Sequence, residues 1–192
     1  MPGTMPVMGE HAPDLALGRL SGGRVSLGAL WAPGPLLLVF LRQLGCPCAR
    51  DLLAQLAMVE RELGRRAARV SIVLPTEAAT ARLARIPPAF EVLLDPDGTG
   101  YEAYGLGRGS LWQIAGPQVL PGMARAILSG VLPGLPQGDV YRLGGVFIIG
   151  PCGRVRYVHR ARHAADNPSA SRLLAALDGI AAVSERNRPE ET

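Results

Sequence analysis

The chain contains no lysine. Its 20 basic residues are all arginine, set against 16 Asp and Glu in 192 residues, for a formal net charge of +4. These arginines are scattered rather than massed on one segment, and only 5% of the residues are aromatic. A nucleic-acid groove needs clustered basic residues with aromatics that stack on bases, so no nucleic-acid partner is expected. Long apolar runs are missing too. The longest purely apolar run covers residues 35–41, far short of the roughly 20 residues that span a bilayer, so no membrane span is expected. Residues 1–14 lack the basic start and apolar stretch of a secretory signal. Cysteine is scarce and odd in number, at three. Three thiols cannot all pair within one monomer, which argues against a secreted disulfide framework and for a cytoplasmic protein with free or catalytic thiols.

What is present is the material for a core, with 48% of residues apolar and 19% charged. Residues 1–184 read as a single domain and 185–192 as a solvated tail. Residues 7–30 alternate short apolar pieces around Gly22 and Gly23, which predicts an N-terminal hairpin. Residues 34–42 form the continuous apolar run of a central strand buried on both faces. Leu52, Leu56, Val59 and Leu63 then recur at helical spacing, with charged residues making up much of the rest. Residues 69–75 read as the next strand and 76–86 as a short helix with Thr76 as its N-cap. A further strand over 90–106 closes in the turn Asp95-Pro96-Asp97-Gly98. Residues 107–137 are broken by Pro and Gly and predict a helical insertion, buried or lid-like. Two strands over 144–161, joined by a turn at 150–153, precede a closing helix over 169–183. This order predicts an α/β fold, a mixed central sheet flanked by helices.

Gly45-Cys46-Pro47-Cys48 falls where the central strand meets a helix. A thiol is a nucleophile only as thiolate, and the unpaired N–H groups and dipole of a helix N-terminus stabilise that charge. Cys46 is placed at the N-cap, Pro47 in a first-turn position that tolerates its missing N–H, and Cys48 just inside. Arg42 and Arg50 flank the motif, either to hold a thiolate or substrate oxygen or to serve as surface ion-pair residues. Residues two apart on a helix face away from each other. A Cys46–Cys48 disulfide therefore needs Cys46 outside the helix or the first turn unwound; otherwise it is strained and easily reduced. A sulfenic acid on Cys46 resolved by Cys48 is feasible, and so is one resolved by an external thiol. The alternative is two ordinary buried cysteines.

Taken together, "GEHAPDLAL", "VSLGAL", "LLLVFLRQLGCPCAR", "YGL" and "GDVYRLGGVFIIGPCGRVRYVHRARHAADNP", in that order, resemble the peroxiredoxin superfamily, in particular its AhpC/TSA peroxiredoxin-like branch. The resemblance covers residues 8–180 and implies a thioredoxin-like fold of peroxiredoxin type, with an insertion near 107–137. It implies a thiol-dependent oxidoreductase that reduces a peroxide or related peroxy compound, with no cofactor and no metal. The partners it implies are a small-molecule peroxide or organic substrate, a thiol electron donor such as a thioredoxin-like protein or low-molecular-weight thiol, and a second copy in a homodimer. The branch usually has Gly-Cys-x-x-Cys-Arg after the central strand. Gly45, Cys46 and Arg50 match that pattern, whereas Ala49 stands where the second cysteine would be and Cys48 lies one residue early. The superfamily's active-site arginine aligns with Gly144, and Arg142 lies two residues away.

A thioredoxin-like sheet runs the strand from 144 antiparallel to the central strand, leaving Cys152 roughly 15–20 Å from the other two cysteines. The returning strand brings His159 and Arg160 back near Gly144, where His159 is a candidate proton donor or thiolate partner, or a plain strand histidine. Asp139 and Asp166 resemble family positions without a chemical role of their own. Cys46, Cys48, His159 and His163 carry zinc-ligand chemistry but not the usual spacing. "GLGRGS" at 105–110 lacks the Lys-Ser/Thr of a phosphate loop. Two other functions fit the altered motif: a general thiol–disulfide oxidoreductase, and a non-enzymatic thioredoxin-fold redox sensor or binding module. An apolar lid over 119–132 would favour a bulky organic substrate over hydrogen peroxide.

Overall fold

A computed structural model describes residues 5–75, 83–84, 86–132, 134 and 139–186. One seven-stranded sheet organises them, in the order β2-β1-β5-β4-β3-β6-β7. Strands β1 (Ala16–Arg19) and β2 (Arg24–Ser26) form the expected N-terminal hairpin, with Gly22 and Gly23 at positive φ in its turn. The apolar residues that follow do not continue the hairpin. The Ser26 side chain accepts from the Ala29 N–H at 3.1 Å and starts a short helix, α1 (Leu27–Trp31).

The centre is β3 (Leu36–Phe40), every residue of which is buried. It pairs in parallel with β4 (Arg69–Leu74) and antiparallel with β6 (Gly145–Ile149). Beyond them lie β5 (Glu91–Leu94), parallel to β4, and β7 (Val155–Arg160), antiparallel to β6. Side chains of β3 alternate between two cores, as a period of two requires. Leu37 and Val39 pack with Leu52 and Leu56 of helix α2 (Pro47–Met58) and with Leu173 and Leu177 of the C-terminal helix (Ala170–Arg186). Leu36, Leu38 and Phe40 face the other way, toward Tyr101, Tyr104 and Phe147. There Phe40 meets Tyr101 edge-on at 5.0 Å between ring centroids, and Tyr104 meets Phe147 at 4.8 Å.

Three local expectations change. The helical pattern after the cysteines becomes two helices, α2 and α3 (Glu60–Arg65), separated at Val59, whose backbone (φ −105°, ψ 15°) leaves the helical region. The strand ends at Leu94 in the expected turn, but the residues after the turn are helical, because buried Asp95 accepts the N–H groups of Gly100 (2.8 Å) and Tyr101 (3.1 Å). A carboxylate on those orphan donors starts helix α4 (Thr99–Ala103). The insertion is helical, as expected: α5 (Leu111–Ala115) opens with a Ser110/Gln113 capping box, a 3₁₀ turn follows (Pro117–Val119), and then α6 (Leu120–Leu128). The closing helix, α7, runs on to Arg186. Most of the helix expected over 76–86, and residues 187–192 of the expected tail, lie outside the described residues. Among the described residues no helix is long and apolar enough to cross a membrane.

Phe147 is fully buried between Phe40 and Tyr104. Phe147→Ala should cost about 3–5 kcal/mol of folding free energy, read as a lower urea midpoint with unchanged slope.

Candidate functional site

The C-terminal end of β3 and the start of β6 lie side by side, Phe40 opposite Gly145. The buried Tyr101 hydroxyl donates to the Leu41 carbonyl at 2.6 Å and so fixes the exit of β3. From there the chain turns through Arg42 and Gln43 to Cys46, the N-cap of α2, with extended backbone (φ −74°, ψ 124°) and Pro47 behind it. The Cys46 carbonyl accepts the Arg50 N–H at 3.1 Å. Both cysteines are free thiols inside the protein, Cys46 7% and Cys48 1% exposed.

The two thiols are electrostatically unlike. Cys46 has its pKa lowered to about 6. The largest cause is the Cys48 thiol, which donates toward the Cys46 sulfur. Burial opposes this, while the Arg42 charge and the N–H groups of Ala49 and Cys48 lower the pKa further. Cys48 is pushed strongly up, first by sharing its proton with Cys46 and then by burial. The charge of Asp51 adds to the rise and that of Arg125 offsets part of it. The pair thus holds one thiolate and one thiol near neutral pH.

Arg42 supplies the cation. It is 8% exposed, with Nη1 4.0 Å from the Cys46 sulfur and Nη2 donating to the Val140 carbonyl at 2.8 Å. Its Nε is buried without a hydrogen-bond partner. Gly144, where the family resemblance would put an arginine, has no room for one. A Cβ there would lie 2.6 Å from the Phe40 carbonyl oxygen. Arg142 points elsewhere, its guanidinium 4.7 Å above the Tyr101 ring.

Two segments cover the thiols. The insertion lies along α2: Arg125 pairs with buried Asp51 at 3.0 Å, and Gln55 donates to the same carboxylate at 2.9 Å. Just beyond α6, the Gly134 N–H donates to the Gly45 carbonyl at 3.0 Å and Arg50 donates to the Leu132 carbonyl. The second cover is the loop after β7, where Asn167 Nδ2 donates to the Cys48 carbonyl at 3.0 Å. The insertion and this loop are tied together by Gln113, which accepts the Ala164 N–H and donates to the Arg162 carbonyl at 2.9 Å.

The remaining sequence candidates fall around this centre. The Arg50 side chain bonds the insertion, and among the described residues no hydrogen bond joins it to either thiol. His159 Nε2 lies 2.8 Å from the Asp166 carbonyl oxygen and 3.5 Å from its carboxylate, so its ring is engaged by the loop. Asp166 also binds Arg162 and the Arg162 N–H. Burial pushes its pKa up, but those bonds and the His159 and Arg162 charges leave it lowered overall. Asp139 accepts the Tyr141 N–H and pairs with Arg108. Cys152 is exposed in the turn after β6, at the opposite end of that strand from Gly145. His163 lines a cleft with Arg42, Ala49, Gly144 and Asn167, of about 10 Å³, the room of one water. Asn167 and the Asp51–Arg125 pair carry no motif of their own, and sequence reasoning missed them. Among the described residues no group of three or more His, Cys, Asp and Glu is placed to hold a metal.

Alkylation of Cys46 by iodoacetamide should therefore titrate with a midpoint near pH 6. The pKa is lowered, so the reactive thiolate is present above that pH and lost below it. Arg42→Met should move the midpoint toward the free-thiol value of about 8.5, followed as labelling rate against pH.

Comparison with known proteins agrees with this architecture. The family described as AhpC/TSA antioxidant enzyme matches residues 62–163, more than half the chain and wholly C-terminal to the cysteine pair. Peroxiredoxin-like 2C from Homo sapiens is 29% identical over 185 residues, covering 88% of this chain and 79% of the relative. Its Mus musculus counterpart is 28% identical over 186 residues, with the same coverage of each chain. Among solved structures, the peroxidoxin BcpB from Mycobacterium tuberculosis superposes with a TM-score of 0.63 at 20% identity, over 91% of this chain and 98% of that one. The peroxiredoxin 6 of Arenicola marina gives 0.67 at 14% identity, over 93% and 75%. Both share the thioredoxin-like fold of peroxiredoxins, with its mixed sheet and flanking helices. On fold and sequence together, this chain belongs to the AhpC/TSA antioxidant enzyme family, as a peroxiredoxin-like member.

Proposed function

We propose that the protein is a thiol-dependent peroxidase in which Cys46 attacks a peroxide and Cys48 resolves the product. The observation that carries this reading is the polarised pair itself, Cys46 lowered to about pH 6 beside Arg42 while Cys48 keeps its proton. In the first step the Cys46 thiolate attacks one peroxide oxygen. The S–O bond forms, the O–O bond breaks, Cys46 becomes a sulfenic acid, and the departing oxygen leaves as alkoxide or hydroxide, protonated by water. In the second step the Cys48 sulfur attacks the Cys46 sulfur, an S–S bond forms, and the Cys48 proton leaves with the sulfenic hydroxyl as water. An external thiol then reduces the disulfide by exchange. Cys46 stands outside the helix, as the N-cap with extended backbone, which is the condition such a disulfide needs. A low-molecular-weight thiol suits the buried pair better than a protein donor, and a reducing cytoplasm would supply it.

A general thiol–disulfide oxidoreductase is the second reading, favoured by the same combination of thiolate and thiol. Insulin reduction without peroxide turnover would select it.

Cys46→Ser should abolish peroxide consumption with a thiol reductant. Cys48→Ser should still consume one equivalent and stop at a sulfenic acid, trapped by a 1,3-dione and read by mass spectrometry. Full turnover by Cys46→Ser would overturn the assignment.

A further inference from the structure

The cleft beside Ala49 adjoins the thiol site but contains neither sulfur. Five of its walls converge from separate parts of the chain: Arg42 from the exit of β3, Ala49 from the first turn of α2, Gly144 from the entry to β6, and His163 and Asn167 from the loop after β7. Two observations make it a built site rather than a packing gap. Arg42, more than nine-tenths buried, lines it and carries an Nε–H with no acceptor among the described residues. An orphaned donor of that kind costs free energy unless a ligand or water accepts from it. His163 lines it as well, and its Nδ1 accepts the Ala165 N–H at 3.3 Å. With Nδ1 accepting that bond, a proton on Nε2 gives the ring a second donor. Ala49 adds only a methyl group to the wall, and Gly144 packs against the Phe40 carbonyl, 2.6 Å from where a Cβ would sit. Asn167 is spent on the Cys48 carbonyl and fixes the wall.

Resting on the peroxidase reading, we infer that this cleft receives the oxygen that leaves when Cys46 attacks a peroxide, and that His163 is a catalytic residue donating to it together with Arg42. Ala49 links the two places: its N–H faces the Cys46 sulfur, and the residue lines the cleft. As the O–O bond breaks, negative charge collects on the departing oxygen. Preplaced donors stabilise that charge more than reorganising water does. Hydroxide leaving from hydrogen peroxide takes a proton from solvent and becomes one water, the volume the cleft holds. An alkoxide with a bulky group does not fit. The site therefore selects hydrogen peroxide over bulky hydroperoxides, against the expectation that an apolar lid selects bulky substrates. The exposed apolar residues of that lid, Leu120 and Leu128 among them, are open to solvent.

The test is single-turnover oxidation of the reduced protein by hydrogen peroxide and by cumene hydroperoxide, with Cys46 sulfenic acid trapped by a 1,3-dione. Wild type should react much faster with hydrogen peroxide. His163→Leu should slow that reaction about a hundredfold, the usual loss for one such donor, and His163→Gln, which keeps an N–H donor, should recover most of it. Ala49→Val should slow it similarly by filling the cleft. Iodoacetamide alkylation of Cys46 must stay at the wild-type rate in both His163 variants, which separates loss of the oxygen site from loss of the thiolate or the fold. Wild-type oxidation rates in His163→Leu and Ala49→Val, or equal wild-type rates on the two peroxides, would overturn the inference while leaving the peroxidase reading standing. Failure of the wild type to form sulfenic acid with either peroxide would overturn the peroxidase reading and the inference with it.

Discussion

A negative charge on Cys46 inside the protein is the constraint around which the site is arranged. Burial alone would keep the thiol protonated. The charge is tolerated because Cys46 caps a helix with no side-chain cap of its own, so first-turn N–H groups face sulfur rather than a competing oxygen. Arg42 adds a full charge from the end of the central strand, and Cys48 adds a hydrogen bond from the first turn of the helix. Each donor comes from backbone whose position the sheet determines. Tyr101 holds the carbonyl of Leu41, one residue before Arg42, so the second core is linked directly to the geometry of the cation.

The covers over the thiols follow from the same junction. The start of α2 and the residue before its N-cap offer two carbonyls and two charged side chains, and each is bound by a neighbouring segment. Gly45 and Arg50 take the stretch after α6, Asp51 takes Arg125, and Cys48 takes Asn167. The ion pair is asymmetric, since the carboxylate is buried and the guanidinium is 55% exposed. Losing Arg125 would leave a charge under the insertion, whereas losing Asp51 would leave one in water. Opening the insertion therefore breaks contacts to Gly45, Arg50 and Asp51, the residues that flank the two thiols.

Much of this was legible in the residues. The apolar run ending at Leu41, the Gly-Cys-Pro-Cys junction and the family resemblance were enough to anticipate the central strand, the helix cap and the sheet type, because each depends on local pattern. The helix that follows the turn after Leu94 was not, because Asp95 reads as a turn residue until its burial against the N–H groups of Gly100 and Tyr101 is seen. Arg42 and Arg50 looked equivalent on either side of the motif. They differ because one leaves a buried strand beside the sulfur, and the other lies on the part of the helix that meets the insertion. His159 was drawn to the site by strand register, and the register is as expected, opposite Val146. Its ring is taken by the Asp166 carbonyl, a contact decided by a loop rather than by the strand.

The sequence by itself determined that a pair of cysteines would sit at a helix N-terminus on a peroxiredoxin-type sheet, since hydrophobic period, proline position and motif order are local properties. Only the tertiary structure decided which cysteine carries the charge and which arginine faces it. It also decided which histidine shares a water-sized cleft with that arginine. His163 and Arg42 are far apart in the chain, and burial, which acts on both thiol pKa values and leaves Arg42 Nε without an acceptor among the described residues, exists only once the chain has packed.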